Sequence, residues 1–261
     1  MEVNFVHEGE TKIKVSSTHE NDEQFSRRVN HEIMFRKVVY ECIVNNLIDI
    51  NKNMIDSGSW IGDNTLVWAK LIKNGGGKGV VYAIDPSRKN KEYIESLSQL
   101  NNLDNIKCIE AAMSDKIEEL NYQGCIDHNS FIECGLRPYK GDKFLRSTYM
   151  DLLHDEGHIN NVDFIHLDVE GMEYKVICGA KNFIESFRPV VTFEIHLEID
   201  KEQTLIYEYF NYIDYNIFML NEVLPGCRHD CRNFIAIPKE RNIECLKKFS
   251  NILVSIKVQT N

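Results

Sequence analysis

No apolar run in this 261-residue chain approaches the roughly 20 residues that a bilayer-spanning helix needs. No block of lysine and arginine is present either, and the formal net charge is −10. Phosphate neutralisation dominates affinity for nucleic acid, so an acidic chain of this kind is expected to leave nucleic acid alone. There is no Asn-x-Ser/Thr sequon, and Met1-Glu2-Val3-Asn4-Phe5 lacks the basic-then-apolar pattern of a secretory leader. A cytoplasmic location without a membrane partner is the expectation. Disulfide spacing is missing too: the eight cysteines are scattered, and Cys42, Cys108 and Cys178 lie inside apolar runs. In a reducing compartment such residues are small core side chains. Internal repeats and low-complexity segments are absent. What is present is 43% hydrophobic and 27% charged, the balance of an ordinary globular protein.

Residues 1–30 are polar and read as irregular, with His7, His19 and His31. From His31 the pattern turns helical. Ile33, Met34, Val38, Val39, Ile43, Val44 and Leu47 share one broad face, and Arg36, Lys37 and Glu41 lie on another, predicting an amphipathic helix over about 31–47. Residues 1–48 therefore read as an N-terminal extension, 49–240 as the main domain and 241–261 as a tail packed on it. Within the domain, strands are predicted at Met54–Asp56, Val80–Ile84, Asn105–Ala112, Val162–Leu167 and Pro189–Ile195. Helices are predicted between them, with a single one over Glu173–Phe187. The alternation implies a parallel, doubly wound sheet covered on both faces. Asn216–Leu220 and Asn233–Ile237 close it as an antiparallel pair. Residues 115–160 break the rhythm with Gly124, Gly135, Pro138, Gly141 and Gly157, and predict a hairpin or lid over the active face.

The first strand runs into Asp56-Ser57-Gly58-Ser59-Trp60-Ile61-Gly62-Asp63. Doubly wound folds bind ligands at this place, outside the carboxyl ends of the strands. Gly58 lets backbone approach a ligand, Gly62 lets the helix pack close, and the helix start offers free N–H groups to a carboxylate. The dinucleotide pattern G-x-G-x-x-G is missing. An acid at the strand tip repels a pyrophosphate and suits the ammonium of a methionine moiety, which favours S-adenosylmethionine over a nicotinamide cofactor. Asp85, followed by Pro86, ends the second strand where a carboxylate accepts from ribose hydroxyls; it also suits a helix cap. Met113 and Ser114, at the end of the third, are placed to meet an adenine ring and its amine, although a methionine there is more often core.

These segments resemble the FkbM family of S-adenosylmethionine-dependent methyltransferases. The matching pieces are Ile55–Asp63, Val81–Pro86, Phe164–Glu173, Val190–His196 and Arg232–Pro238, the most specific being Asp168-Val169-Glu170-Gly171-Met172-Glu173. The resemblance covers roughly residues 50–238. It implies a Rossmann-like class I methyltransferase fold with a mostly parallel seven-stranded sheet, S-adenosylmethionine as cofactor, and O-methylation of a sugar or other small-molecule hydroxyl. The family usually has Glu-Pro where this chain has Asp85-Pro86. Ser59 and Trp60 replace an Ala and a frequent Asn, so Trp60 is expected to crowd or stack near the cofactor.

A hydroxyl is a poor nucleophile at neutral pH and needs a base or a metal beside it. Asp168 ends the fourth strand, Glu170 lies just beyond, and Glu194 and His196 end the fifth on one face. This set reads as a base with its orienter, either His196 or Asp168, or as an oxygen-rich site for a divalent ion through Asp168, Glu194 and His196. Glu170 and Glu173 also suit the positive end of the helix that follows. His166, in mid-strand, reads as buried structure. His128-Asn129-Ser130 and Arg146-Ser147-Thr148 read as solvated loop more readily than as acceptor contacts. Cys227, His229 and Cys231 form a Cys-x-His-x-Cys cluster, but structural zinc wants four ligands and none stands nearby, so a plain loop is expected. A non-catalytic module that keeps the fold, and a nicotinamide enzyme, are the competing readings. The sequence does not choose the acceptor or an oligomeric state.

Overall fold

The computed structural model describes residues 1–6, 10–16, 18–121, 144–197, 202–222 and 230–257. His7, His128-Asn129-Ser130, Cys227 and His229 lie outside the described residues, as does the middle of the 115–160 segment.

The chain opens with a hairpin, β1 (Glu2–Val6) and β2 (Glu10–Lys14), paired antiparallel with Phe5 opposite Thr11. This departs from the irregular start predicted for residues 1–30. Thr11-Lys12-Ile13-Lys14-Val15 alternates buried and exposed, a strand period that sends Ile13 and Val15 into the core beside Val3, Phe5 and Phe25. Helix α1 (Asp22–Arg27) and a single 3₁₀ turn (Arg28–Asn30) lead into α2 (Ile33–Val44), near the predicted position.

The main sheet then builds outwards. β3 (Asn53–Ser57), α3 (Asp63–Asn74), β4 (Val81–Asp85), α4 (Arg88–Leu100) and β5 (Ile106–Glu110) lay three parallel strands towards one edge. The short strands β6 (Ala112–Met113), β7 (Glu119–Asn121) and β8 (Phe144–Thr148) form a separate small sheet, followed by α5 (Met150–Asp155). β7 and β8 run antiparallel, so the two described ends of the 115–160 segment pair with each other. β9 (Val162–Leu167) returns to the other side of β3, and α6 (Glu173–Cys178), α7 (Lys181–Phe187) and β10 (Val190–His196) continue that way. The predicted single helix over 173–187 is thus two, broken at Gly179 and Ala180. Helix α8 (Gln203–Tyr212), β11 (Tyr215–Leu220) and β12 (Cys231–Pro238) follow, and β11 and β12 pair antiparallel as expected.

The sheet has eight strands in the order β13-β11-β12-β10-β9-β3-β4-β5, one more than predicted. The extra strand, β13 (Leu253–Ile256), comes from the tail, where Ile217 stands opposite Ile256. Its side chains are only half buried, which hid the strand from a search for apolar runs. The central strands β4, β9 and β10 are buried along their whole length, as a parallel sheet covered on both faces requires. One core layer lies under α2, α3 and the hairpin around Phe35, Trp68 and Phe164. The other lies under α6, α7 and α8 around Phe193, Phe210 and Phe234, whose rings stack 5.3 and 5.7 Å apart. No helix among the described residues is long and apolar enough to cross a membrane.

Candidate active site

The chain leaves β3 towards β4 on one side and reaches β9 on the other, so the strand order reverses between β3 and β9. Crevices of doubly wound sheets open at such a reversal. The two strand tips are held together there: the amide of Asp168 donates to the Ser57 carbonyl at 2.9 Å. Gly58, at φ +83°, lies so close that a Cβ would stand 1.7 Å from the Asp168 carbonyl oxygen. No side-chain-bearing residue fits without moving one strand tip. Gly62, at φ +78°, starts α3, and a Cβ there would stand 2.7 Å from Ile94 on α4. Trp60 adopts φ +45° between them, a left-handed conformation that a large side chain holds only where its surroundings impose it. The Ser57 and Ser59 hydroxyls are buried without a hydrogen-bond partner among the described residues. Leaving such groups unmade costs about 1–3 kcal/mol each, which a polar ligand in the turn would recover.

Asp56 and Asp85 stand on adjoining strands, β3 and β4. The Asp56 carboxylate turns towards α3 and accepts from the Thr65 hydroxyl. Burial pushes its pKa up to about 7 against that hydrogen bond, with Asp63 and Asp85 adding to the rise. Asp85 accepts from the Trp60 amide at 2.9 Å, the Ser87 amide at 2.8 Å and Asn90 Nδ2 at 3.0 Å. Burial still lifts it to about 6. Pro86 follows directly, and Ser87 caps α4 by accepting from the Asn90 amide at 3.3 Å. The third predicted strand stops short of Met113 and Ser114. β5 ends at Glu110, half exposed along an edge, and the chain turns off into the small sheet, where Met113 packs in the core and the Ser114 amide bonds the Thr148 carbonyl.

The acid-rich loop after β9 has its own constraint. Glu170 holds φ +55° and Gly171 φ +93°, while Glu173 reaches back to accept from the Val169 amide at 3.0 Å. Glu173 thus closes the start of α6, and the Glu170 side chain is left 33% exposed. His196 Nε2 lies 3.4 Å from Glu194 Oε1 and 3.9 Å from Glu170 Oε2. Cys231, opposite His196 on β12, donates its thiol to Glu194 Oε1 at 2.6 Å. His166 is buried between Phe35 and Trp68 and bonds Thr192 at 2.9 Å; burial drives its pKa down to about 4, so it is a neutral structural residue.

The sequence reading missed the polar layer beneath this corner. It placed Arg36 and Glu41 on a solvated face, but both are buried. Arg36 donates to Asp63 Oδ2 at 2.8 Å, Asn64 Oδ1 at 3.2 Å and the carbonyls of Arg28 and His31. Arg28 donates to the same Asp63 oxygen at 2.7 Å and to Glu32 Oε2 at 2.6 Å, and its guanidinium lies 5.5 Å from the Trp60 ring centre. Burial pushes the Asp63 carboxyl up, but Arg28 and Arg36 outweigh it and hold it below its ordinary value. Glu32 also accepts from Asn233 on β12 at 3.0 Å. The N-terminal segment is therefore wired to the first turn through Asp63 and to the last strands through Asn233. The only trace in the sequence is the pair Arg27-Arg28 ahead of a helix.

Residues 56–223 match the methyltransferase FkbM domain. The chain belongs to the FkbM methyltransferase family. Among solved structures it is similar to an FkbM methyltransferase from Methylobacillus flagellatus KT at 16% identity and a TM-score of 0.50, covering 82% of this chain and 55% of that one. The chain thus spans about half the length of that relative. A precorrin-6y C5,15-methyltransferase from Geobacter metallireducens has 10% identity and a TM-score of 0.45, covering 78% of this chain and 88% of that one. A SAM-dependent methyltransferase from Aquifex aeolicus has 15% identity and a TM-score of 0.42, with coverages of 77% and 87%. No curated protein matches. The FkbM-family chain has the class I methyltransferase fold, and the tip of β3 combines a glycine-tight backbone, two buried hydroxyls without partners among the described residues, and two buried carboxylates.

Proposed function

We infer that this FkbM-family chain is an S-adenosylmethionine-dependent methyltransferase acting on a hydroxyl of a sugar or another small molecule. The observation that carries the reading is the pair of buried carboxylates, Asp56 and Asp85, at adjoining strand tips beside two unpartnered hydroxyls. Buried acids raised this far favour a ligand that brings positive charge. The ribose hydroxyls would fall to Asp85, whose carboxylate oxygens keep lone pairs beyond those its three donors use. Amides at the start of α3 receive a carboxylate, with Gly58, Trp60 and Gly62 shaping the turn whose own amides bond Ile84, Asp85 and Ser59. Asp56 supplies negative charge beneath the turn, and Met113 and Ser114 border the adenine side. Bound S-adenosylmethionine supplies an activated methyl group.

The rest is positioning and proton removal. Asp168 joins the two strand tips, and Glu170, Glu194 and His196 extend the same corner outward. The acceptor hydroxyl gives its proton to Asp168 or His196, with Glu194 orienting the imidazole. A net charge of −10 disfavours a polyphosphate acceptor and leaves neutral sugars and small molecules favoured. The location that fits is the cytoplasm.

Isothermal titration with S-adenosylmethionine tests the donor half. The expected result is one site per chain, with affinity lost in Asp85→Ala. No binding by a folded chain would overturn the assignment. Label transfer from methyl-labelled cofactor to a panel of sugars tests the acceptor half, and His196→Gln should lower transfer at least ~100-fold while leaving cofactor affinity within a few-fold.

A further inference from the structure

We propose that Glu194, His196 and Cys231 form a site for a borderline-soft divalent ion of the zinc type. Strand pairing brings Cys231 to Glu194 and His196, which lie two apart on β10. His196 and Cys231 are direct partners across the antiparallel β10–β12 ladder, and Glu194, two residues back, faces the same side. One donor atom from each lies within 4.8 Å of the others, and all three residues are buried, Cys231 completely. The set offers one nitrogen, one carboxylate oxygen and one sulfur. That mixture differs from the oxygen-rich set read from the sequence and changes the metal: thiolate and imidazole suit zinc, cobalt or ferrous iron, and magnesium prefers all-oxygen ligands.

The chemistry balances without another reactant. The Cys231 thiol donates its hydrogen bond to Glu194 at 2.6 Å. An ion entering between sulfur and oxygen takes the place of the thiol proton, which leaves to solvent, so loading releases about one proton per chain. Three protein ligands leave the fourth tetrahedral position open, the arrangement of catalytic rather than structural zinc. Glu170, 3.9 Å from His196 and partly exposed, borders the set on its accessible side. A hydroxyl oxygen entering there meets a Lewis acid that lowers its pKa. His196 then serves as a ligand, and the proton passes to Asp168. This role rests on the methyltransferase reading, but the ion site itself does not.

The test uses the full chain, stripped with chelator under reducing conditions and titrated with Co²⁺. The expected result is one Co²⁺ per chain, a thiolate-to-cobalt charge-transfer band in the near ultraviolet, four-coordinate d–d bands in the visible, and displacement of both by Zn²⁺. Cys231→Ser should abolish the charge-transfer band, and Glu194→Gln should keep it while weakening Zn²⁺ at least ~10-fold. If Cys231→Ser does not fold, Glu194→Gln and His196→Gln carry the comparison. Absence of the band, or an unchanged band in Cys231→Ser, overturns the site, the latter by placing the ion on another of the eight cysteines. Cofactor titration of the metal-free chain separates the two ideas. Cofactor binding without a cobalt spectrum sinks the ion site alone, and a cobalt spectrum without cofactor binding sinks the methyltransferase reading alone.

Discussion

The tip of β3 and the corner formed by β10 and β12 are both buried and polar, yet they are built in opposite ways. At the β3 tip, residues 56–65 make most of the structure from within one turn: Gly62 bonds back to the Ser59 carbonyl, Thr65 bonds Asp56, and Gly58 has room for nothing but a hydrogen. At the β10–β12 corner, the contacts that close the structure join distant parts of the chain. Cys231 meets Glu194, Asn233 meets Glu32, and Glu222 accepts from the amides of Met34 and Phe35 at 2.7 and 3.3 Å. The first region is a backbone shape with side chains attached. The second is a set of side chains whose geometry depends on the whole fold closing correctly.

The comparison predicts where damage is greatest. Gly58→Ala adds one carbon where there is no space, 1.7 Å from the Asp168 carbonyl, in a left-handed backbone. Strain and displacement together should exceed ~4 kcal/mol, a loss at the exceptional end for one substitution. The expected outcome in urea denaturation is an unfolded or barely folded chain. A stable Gly58→Ala variant would show that the β3 tip yields as easily as the corner.

Arg36→Met comes next. It removes a guanidinium whose side chain is only 2% exposed and leaves Asp63 with Arg28 as its one ion-pair partner among the described residues. Breaking a buried pair from one side costs about 3–5 kcal/mol. Because Asp63 begins α3, cofactor affinity should fall with stability. Denaturation and calorimetry on the same variant decide whether the two regions are coupled.

That contrast also explains what could be read in advance. Strand period and turn chemistry are local, so β9 was legible to the residue and β3, β4 and β10 nearly so, together with the glycine turn after β3. The N-terminal hairpin was not, because its buried residues alternate with Lys12, Lys14 and Glu10 and give no apolar run. β13 was hidden for the same reason at an edge. Arg36 was misplaced because helical periodicity assigns charge to solvent and does not see a partner, Asp63, 27 residues away. Cys231 was read with Cys227 and His229 by spacing, but strand pairing set it against Glu194 and His196.

Cofactor binding should be pH-sensitive through the β3 tip. Asp56 and Asp85, raised to about 7 and about 6, titrate higher than in an unfolded chain. Acids raised on folding stabilise the fold fully below their unfolded pKa, and that contribution is lost as pH climbs through the folded values. Without ligand, stability contributed by these groups therefore declines between about pH 4 and pH 7. A cationic ligand reverses the sense, because it pairs with the ionised forms. The thermal shift at saturating S-adenosylmethionine should be larger at pH 8 than at pH 5.5, and affinity at pH 5 should be roughly 10-fold weaker or more. A flat profile would mean that the two carboxylates do not feel the ligand.

The mildest change, Asn233→Ala, isolates the bridge itself. Asn233 stands opposite Glu194 on β12 and gives one hydrogen bond, at 3.0 Å, to Glu32 of the N-terminal segment. Its other amide atom, Oδ1, is buried without a partner among the described residues, so truncation removes an unsatisfied group along with a useful one. The two effects oppose, and a charged-acceptor hydrogen bond contributes about 1.5–3 kcal/mol, so a net loss of about 1 kcal/mol is expected. Glu32 still keeps Arg28 at 2.6 Å, which leaves the Asp63 side intact. Cofactor affinity should therefore hold within about twofold while acceptor turnover falls, since only the corner has lost its tether. Equal losses in both would mean that the N-terminal segment transmits strain between the two regions, and that the division into a self-contained turn and a fold-dependent corner is wrong.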